Sequence, residues 1–343
     1  MSCPVKRLLF IHNKLTSFVR FDLESLRAHF EVTECPLMSN AFNPLGLWQE
    51  IAEHDLVFGW FASWHTLLPF LLARLQHKPS ILVVGGYDLA NLPEIGYGHQ
   101  RGGTRRWVSR SAMNLASCLV TNSYYSRDEA VSNAGIAREK LEVVHHGLPD
   151  PFGELPGARS DREVLTVGNV NRSNLQRKGM RPFVQAAARI PDARFTIVGA
   201  WQDDAIDELR AIASPNVRFT GELSDEELRE QFRQASVYVQ ASRHEGFGLS
   251  LAEAMLAGCI PVATRAGALP EVVGDCGVVC ESQEPDHVAE AVRSALDFPE
   301  RARLQARKRI LNQFPAEKRR EALRLLVSRL SRSETLVYAA GGR

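Results

Sequence analysis

Two acids and a short basic cluster stand out among the residues of this chain that could do chemistry. Glu245 lies in the stretch Glu245-Gly246-Phe247-Gly248-Leu249, and Glu253 follows in Leu251-Ala252-Glu253-Ala254-Met255. The apolar run Val237-Tyr238-Val239 ends just before the first acid. After it, Leu249, Ala252, Met255 and Leu256 fall on one face of a helix, which Gly258 stops ahead of a strand over 260–263. A strand, loop, helix, strand unit of this kind belongs to a parallel sheet. Its loop, joined to a helix N-terminus, suits an anionic ligand held by backbone N–H groups, with Phe247, Gly248 and Leu249 as the candidates. Glu253 interrupts an apolar helix that needs cover on much of its surface, although a plain exposed acid remains the alternative at this point. A second strand, over 163–168, leads into a polar loop over 169–179. Arg172, Arg177 and Lys178 place cations there, at a strand's carboxyl end, before a helix over 182–190.

The two acids are separated by seven residues, in the setting Glu-Gly-Phe-Gly-Leu-Ser-Leu-Ala-Glu-Ala-Met-Leu-Ala-Gly-Cys-Ile-Pro-Val. This resembles the nucleotide-sugar motif of the retaining glycosyltransferases of family 4, and the likeness runs in recognisable form from about Glu163 to Glu281. The resemblance implies an α/β chain of GT-B fold, two Rossmann-like domains facing across a central cleft, the first for acceptor and the second for nucleotide sugar. It implies retaining transfer of a sugar from a nucleotide diphosphate sugar to a carbohydrate, lipid-linked or small-molecule acceptor hydroxyl, with domain closure over the reactants. Lys178 and Arg172 would hold the diphosphate, Glu253 the ribose hydroxyls, and Glu245 the transferred sugar. Arg172 substitutes for the arginine that usually follows the first glycine, where this chain has Asn169; all three cations face the Glu245 loop in an ordinary sheet, and Arg177 matters less if it points to solvent. No metal or other cofactor is implied, because cations already face the phosphates and no Asp-x-Asp pair stands in a suitable loop. The rival readings are a sugar-nucleotide epimerase or phosphorylase, and a noncatalytic sugar-nucleotide binding module.

The elements that must position these groups follow from the apolar rhythm. Residues 1–150 form a first domain with strands over 8–11, 30–33, 56–58, 80–84 and 118–120, and helices over 22–30, 67–75 and 109–116. Proline and glycine mark a linker over 149–161. The second domain covers 151–320, and a helix and tail over 321–343 pack across the domains. Three loops of the first domain lie at carboxyl strand ends. The loop over 13–17 has donors in Asn13, Lys14 and Thr16 but no glycine; 59–65 is dense in aromatics around Trp60, Trp64 and His65; and 85–88 ends on Asp88. Family members place a histidine in this last region, so Asp88, with His65 second, is the expected contact to the transferred sugar or the acceptor hydroxyl.

Composition removes other classes. A net charge of +1 over 343 residues excludes a general nucleic-acid binder. Cys3, Cys35, Cys118, Cys259, Cys276 and Cys280 lack metal-ligand spacing and read as small thiols in a reducing compartment, and His145-His146 lacks a third ligand for zinc. The start of the chain carries no secretory pattern, which predicts a cytoplasmic protein. Peripheral membrane contact stays among the expectations because Arg105-Arg106-Trp107-Val108-Ser109-Arg110 mixes basic and aromatic residues. Arg319, Arg320, Arg324 and Arg329 read as the solvated side of the last helix, which packs on the domains through Leu323, Leu325, Leu326, Val327 and Leu330.

Overall fold

The computed structural model describes residues 7–37, 43–155 and 162–340, with side chains as far as 330. The chain forms two compact units, Met1–Gly147 with Ala316–Arg343, and Leu148–Pro315. The last helix, Ala316–Ala340, therefore belongs to the first unit from its first residue.

The first unit has six parallel strands: β1 (Arg7–His12), β2 (Glu31–Pro36), β3 (Leu56–Trp60), β4 (Ser80–Val84), β5 (Cys118–Thr121) and β6 (Leu141–Val143), in the order β2-β1-β3-β4-β5-β6. The order reverses between β1 and β3, which are paired. Side chains alternate across the sheet as the pleat requires. Leu9, Ile11, Val57 and Leu82 enter one core, and Leu8, Phe10, Phe58 and Ile81 enter the other, where they meet Leu323, Leu326 and Val327 of the last helix, with Leu330 partly buried against them, whereas Leu325, expected to pack, is 52% exposed.

Burial of that helix overturns the expectation for one of its arginines. Arg319 is 2% exposed. Its Nε and Nη2 donate to Asp22 Oδ1 and Oδ2 at 2.6 and 2.7 Å, and its Nη1 donates to the Val144 carbonyl at 2.6 Å. A buried guanidinium needs a charged, planar partner of this kind. Arg320, Arg324 and Arg329 do lie at the surface, paired with Glu317, Glu321 and Glu142. Helix starts also differ from the sequence pattern. The first helix is Ser17–Arg27 rather than 22–30, and helix Gly103–Leu115 begins well before 109. Helix Pro44–Glu53, capped by the Asn43 side chain accepting from the Gly46 N–H, lies where no element was expected.

The second unit also has six parallel strands: β7 (Glu163–Val167), β8 (Arg194–Val198), β9 (Val217–Gly221), β10 (Val237–Gln240), β11 (Ile260–Thr264) and β12 (Val278–Cys280). They lie in the order β12-β11-β10-β7-β8-β9, which counted from β7 is the 3-2-1-4-5-6 order of dinucleotide-binding sheets. Val164, Phe195, Val237 and Val262 face one core, and Leu165, Tyr238 and Ala263 the other. The stretch over 169–179 is not all loop. Asn171 caps a short helix, Arg172–Arg177, by accepting from the Asn174 N–H at 2.8 Å, and a second helix, Met180–Ala187, follows. Ser224 and Glu227 form the capping box that their spacing predicts.

Among the described residues, no helix is long and apolar enough to cross a membrane. Cys118, Cys259 and Cys280 are buried and Cys35 and Cys276 partly so, all as free thiols, while Cys3 lies outside the described residues.

Candidate functional site

In an open parallel sheet, ligands bind beyond the carboxyl strand ends where the strand order reverses. In the second unit that point lies between β7 and β10, which pair Leu165 with Tyr238. The segments leaving these two strands carry the basic cluster and Glu245. They are clamped together: the Arg243 N–H donates to the Arg177 carbonyl at 2.7 Å. Gly179, at φ +66°, comes so close to the second segment that a Cβ there would sit 1.9 Å from the Ala241 carbonyl oxygen. A third segment closes the set. Gly267, at φ +62°, leaves no room for a Cβ, which would lie 2.1 Å from the Glu245 carbonyl oxygen, and the Ala268 N–H donates to that oxygen at 2.9 Å. Both positions require glycine on steric grounds.

Glu245 is thereby fixed with its side chain 14% exposed. Its Oε1 accepts from Gln240 Nε2 and Ser242 Oγ, each at 3.0 Å, and lies 3.6 Å from Arg177 Nη1 and 3.7 Å from Lys178 Nζ. Burial alone would raise its pKa, but Lys178, Arg177 and the Ser242 hydroxyl together outweigh burial and hold the group below the ordinary carboxylate value. The result is an ionised carboxylate between two partly buried cations.

Arg172 is not one of them. Its side chain is 62% exposed and bonds Asp204 at 2.5 Å and Glu208 at 3.1 Å. Five helical positions separate Arg172 from Arg177, which turns them about 140° apart. The Asn171 cap makes this stretch helical, so it sends Arg172, expected at the Glu245 loop, to the acids at 203–208 and leaves Arg177 beside Glu245. The preference of asparagine for helix starts was the available signal.

Glu253 lies on the second turn of helix Leu249–Leu256. Burial first, and the Asp225 charge second, push its pKa up to about 7 against a smaller pull from Arg229. Among the described residues no hydrogen-bond partner reaches its carboxyl group. Phe247 directs its ring into the core, edge-on to Phe314 at 5.2 Å, so the side chain serves packing. Gly248 precedes the helix and Leu249 opens it; the N–H groups of Leu249 and Ser250 have no carbonyl acceptor within the helix.

In the first unit, Asp88 and His65 follow β4 and β3, next to that sheet's reversal point. Asp88 is buried, and its Oδ2 accepts from the Ala62 N–H at 3.1 Å. Burial pushes its pKa up to about 8 despite the backbone N–H groups of Ala62 and Gly85, so the expected carboxylate is a neutral acid at neutral pH. His65 is buried too; its Nε2–H donates to the Trp60 carbonyl at 2.8 Å, and desolvation lowers its pKa. Both residues brace the aromatic loop from within. Sequence reasoning missed His99, whose Nδ1 lies 3.9 Å from Asp88 Oδ1 and whose ring stands edge-on to Tyr87 at 4.7 Å. With Ser63, Trp64, Tyr87, Arg105 and Val108, His99 lines a cavity of about 320 Å³. Its distance from β4 in sequence hid it. Among the described residues, no three His, Cys, Asp or Glu side chains gather as a metal site would require.

Residues 161–297 match the family model described as Glycosyl transferases group 1. Over 213 residues, 59% of this chain and 50% of the relative, the sequence is 31% identical to a glycogen synthase of Mycobacterium tuberculosis. The chain spans about half the length of the curated relatives it matches. Among solved structures, a glycosyltransferase of Rickettsia africae covers 96% of this chain and 99% of its own at 15% identity and a TM-score of 0.77. HepE of Anabaena, crystallised in complex with UDP and glucose, covers 94% and 99% at 17% identity and a TM-score of 0.74. The chain is thus an α/β protein of GT-B architecture, related through its second unit to the glycosyl transferases group 1 family.

Proposed function

We propose that this protein transfers a sugar from a nucleotide diphosphate sugar to an acceptor hydroxyl, with retention at the anomeric carbon. The supporting observation is the Glu245 carboxylate held between Arg177 and Lys178 at the strand-order reversal of the second sheet. As the sugar bond breaks, negative charge builds on the diphosphate, and preorganised cations away from bulk water stabilise it. Glu245 lies against both cations, 3.6 Å from Arg177 Nη1 and 3.7 Å from Lys178 Nζ. When phosphate oxygens take them over, the carboxylate is released to the hydroxyls of the transferred sugar, a contact that strengthens as positive charge develops at the anomeric carbon. The N–H groups of Leu249 and Ser250 add the positive end of a helix. Glu253, without a hydrogen-bond partner of its own among the described residues, accepts from the ribose hydroxyls.

The bond from the anomeric carbon to the diphosphate oxygen breaks as the bond to the acceptor oxygen forms on the same face. The acceptor proton leaves on the departing diphosphate. The first unit supplies the acceptor side. There Asp88, mostly uncharged near neutral pH, positions the aromatic loop through its bond from the Ala62 N–H.

Calorimetry with UDP-, GDP-, ADP- and TDP-sugars, followed by mass spectrometry with cell extract as acceptor source, tests the reading. Binding of one donor with a glycosylated product is the expected result. Tight binding without product in any extract would favour a binding module, interconversion of the free nucleotide sugar an epimerase, and release of the sugar as its phosphate a phosphorylase; each would end the proposal.

A further inference from the structure

Helix Trp64–Leu75 turns apolar residues to solvent as well as to the core. Pro69, Phe70 and Ala73 are buried, while Trp64, Leu71 and Leu75 are 58%, 39% and 58% exposed. These three lie within about 40° of one another around the helix, in a stripe three turns long. A helix covering a buried sheet ordinarily places polar residues there. Helices Pro44–Glu53 and Gly103–Leu115 both pack against this one and expose Leu45, Trp48 and Trp107. Gln76 Nε2, just past the end of the stripe, donates to the Trp48 carbonyl at 2.9 Å and ties the two helices together there.

Helices Trp64–Leu75 and Gly103–Leu115 carry charge of one sign. No acid occurs between Asp55 and Asp88 or between Glu94 and Asp128, whereas Arg74, Lys78, Arg105, Arg106 and Arg110 all fall in those intervals. Among the described residues none of the five forms an ion pair. Lys78 donates to the Ala52 carbonyl, Arg110 to the Asn133 carbonyl and Arg105 to the Tyr87 hydroxyl. Many arginines elsewhere on the surface, such as Arg172, Arg320 and Arg324, are matched by carboxylates. The acids nearest the stripe on the three helices are Glu50 and Glu53 of the first.

We propose that this face of the first unit docks on an anionic lipid bilayer, with the apolar stripe in the interface and the unmatched cations against headgroup charge. A surface that is anionic at the headgroups and apolar beneath them complements both features. A second copy of the chain would set cations against cations. Docking requires no turnover, so it stands or falls apart from the sugar-transfer reading.

The test is co-sedimentation of the full-length chain with sucrose-loaded vesicles, of phosphatidylcholine alone and of phosphatidylcholine with phosphatidylglycerol. The protein is expected to pellet with the anionic vesicles and to be released by salt. Arg74→Ala with Arg106→Ala should lower vesicle affinity about 25-fold, at about fivefold per cation. Leu71→Asp with Leu75→Asp should abolish pelleting in protein whose circular dichroism matches the parent's, a check needed because Leu71 is only 39% exposed. The proposal is overturned if the parent stays in the supernatant or if either double variant pellets like the parent. It is equally overturned if sedimentation without vesicles shows a dimer that Leu71→Asp with Leu75→Asp dissociates.

Discussion

Replacing Glu253 by glutamine should erase a specific pH dependence of nucleotide binding. The carboxyl group has its pKa pushed up to about 7 because burial and the Asp225 charge disfavour its ionised form. A group bridging two ribose hydroxyls must accept two hydrogen bonds, which the ionised form does best. Protonation therefore competes with the ligand, and affinity rises with pH. The ionised fraction is about 10/11 at about pH 8, one half at about pH 7 and about 1/11 at about pH 6, so the dissociation constant should rise about tenfold between the first and last. Glutamine keeps the volume and one acceptor but does not titrate, so the variant binds more weakly above about pH 8 and loses this slope. The nucleotide's own phosphate titrates near pH 6 in both proteins, and the difference between them removes it. The assay is calorimetric titration with the tightest-binding of UDP, GDP, ADP and TDP at constant ionic strength, with pyrophosphate as a ligand that has no ribose. Parallel pH curves for parent and Glu253→Gln, or an equal difference with pyrophosphate, would refute the ribose assignment.

Arg177→Ala and Lys178→Ala should each weaken nucleoside diphosphate binding by roughly 1.5–3 kcal/mol, and Arg172→Ala by less than about 0.5 kcal/mol. Calorimetry at low ionic strength separates the three, and a loss at Arg172 equal to that at Arg177 would reverse the assignment. Asp88→Asn bears on stability. In the folded protein the group keeps its proton up to about pH 8, whereas the unfolded chain releases it near the ordinary 3.8. The folded state therefore binds the extra proton across that window, and its contribution to stability falls as pH rises. Melting scans of Asp88→Asn should fall less steeply than the parent between about pH 5 and about pH 8; identical slopes would mean that Asp88 is ionised in the fold.

Strands were more legible than helices. β4 and β11 are buried on both faces, so their sequences are continuous apolar runs bounded by turn residues. Helix starts depend on single capping groups, and Asn43 and Asn171 each open a helix that the apolar pattern does not announce. That difference reached the site. The acids and the basic cluster stand out by residue type, but that Arg177 and not Arg172 approaches Glu245 depended on the intervening residues being helical. Ionisation states are a tertiary property: Asp88 and Glu245 look alike in sequence, and only their surroundings make one a neutral acid and the other an anion. Arg319 fell into the basic face of a leucine-rich helix because its partner Asp22 is 297 positions away.

The central claim is that Glu245 acts on the transferred sugar and not on the nucleotide. Steady-state turnover of Glu245→Gln, paired with calorimetric titration of the sugar-free nucleoside diphosphate and a melting check, tests it most directly. The account predicts a fall in kcat of about 10²–10³ with nucleoside diphosphate affinity undiminished, since glutamine removes only the carboxylate charge that competes with the phosphates for Arg177 and Lys178. A variant that turns over like the parent, or one that keeps kcat and loses the nucleotide, would contradict it.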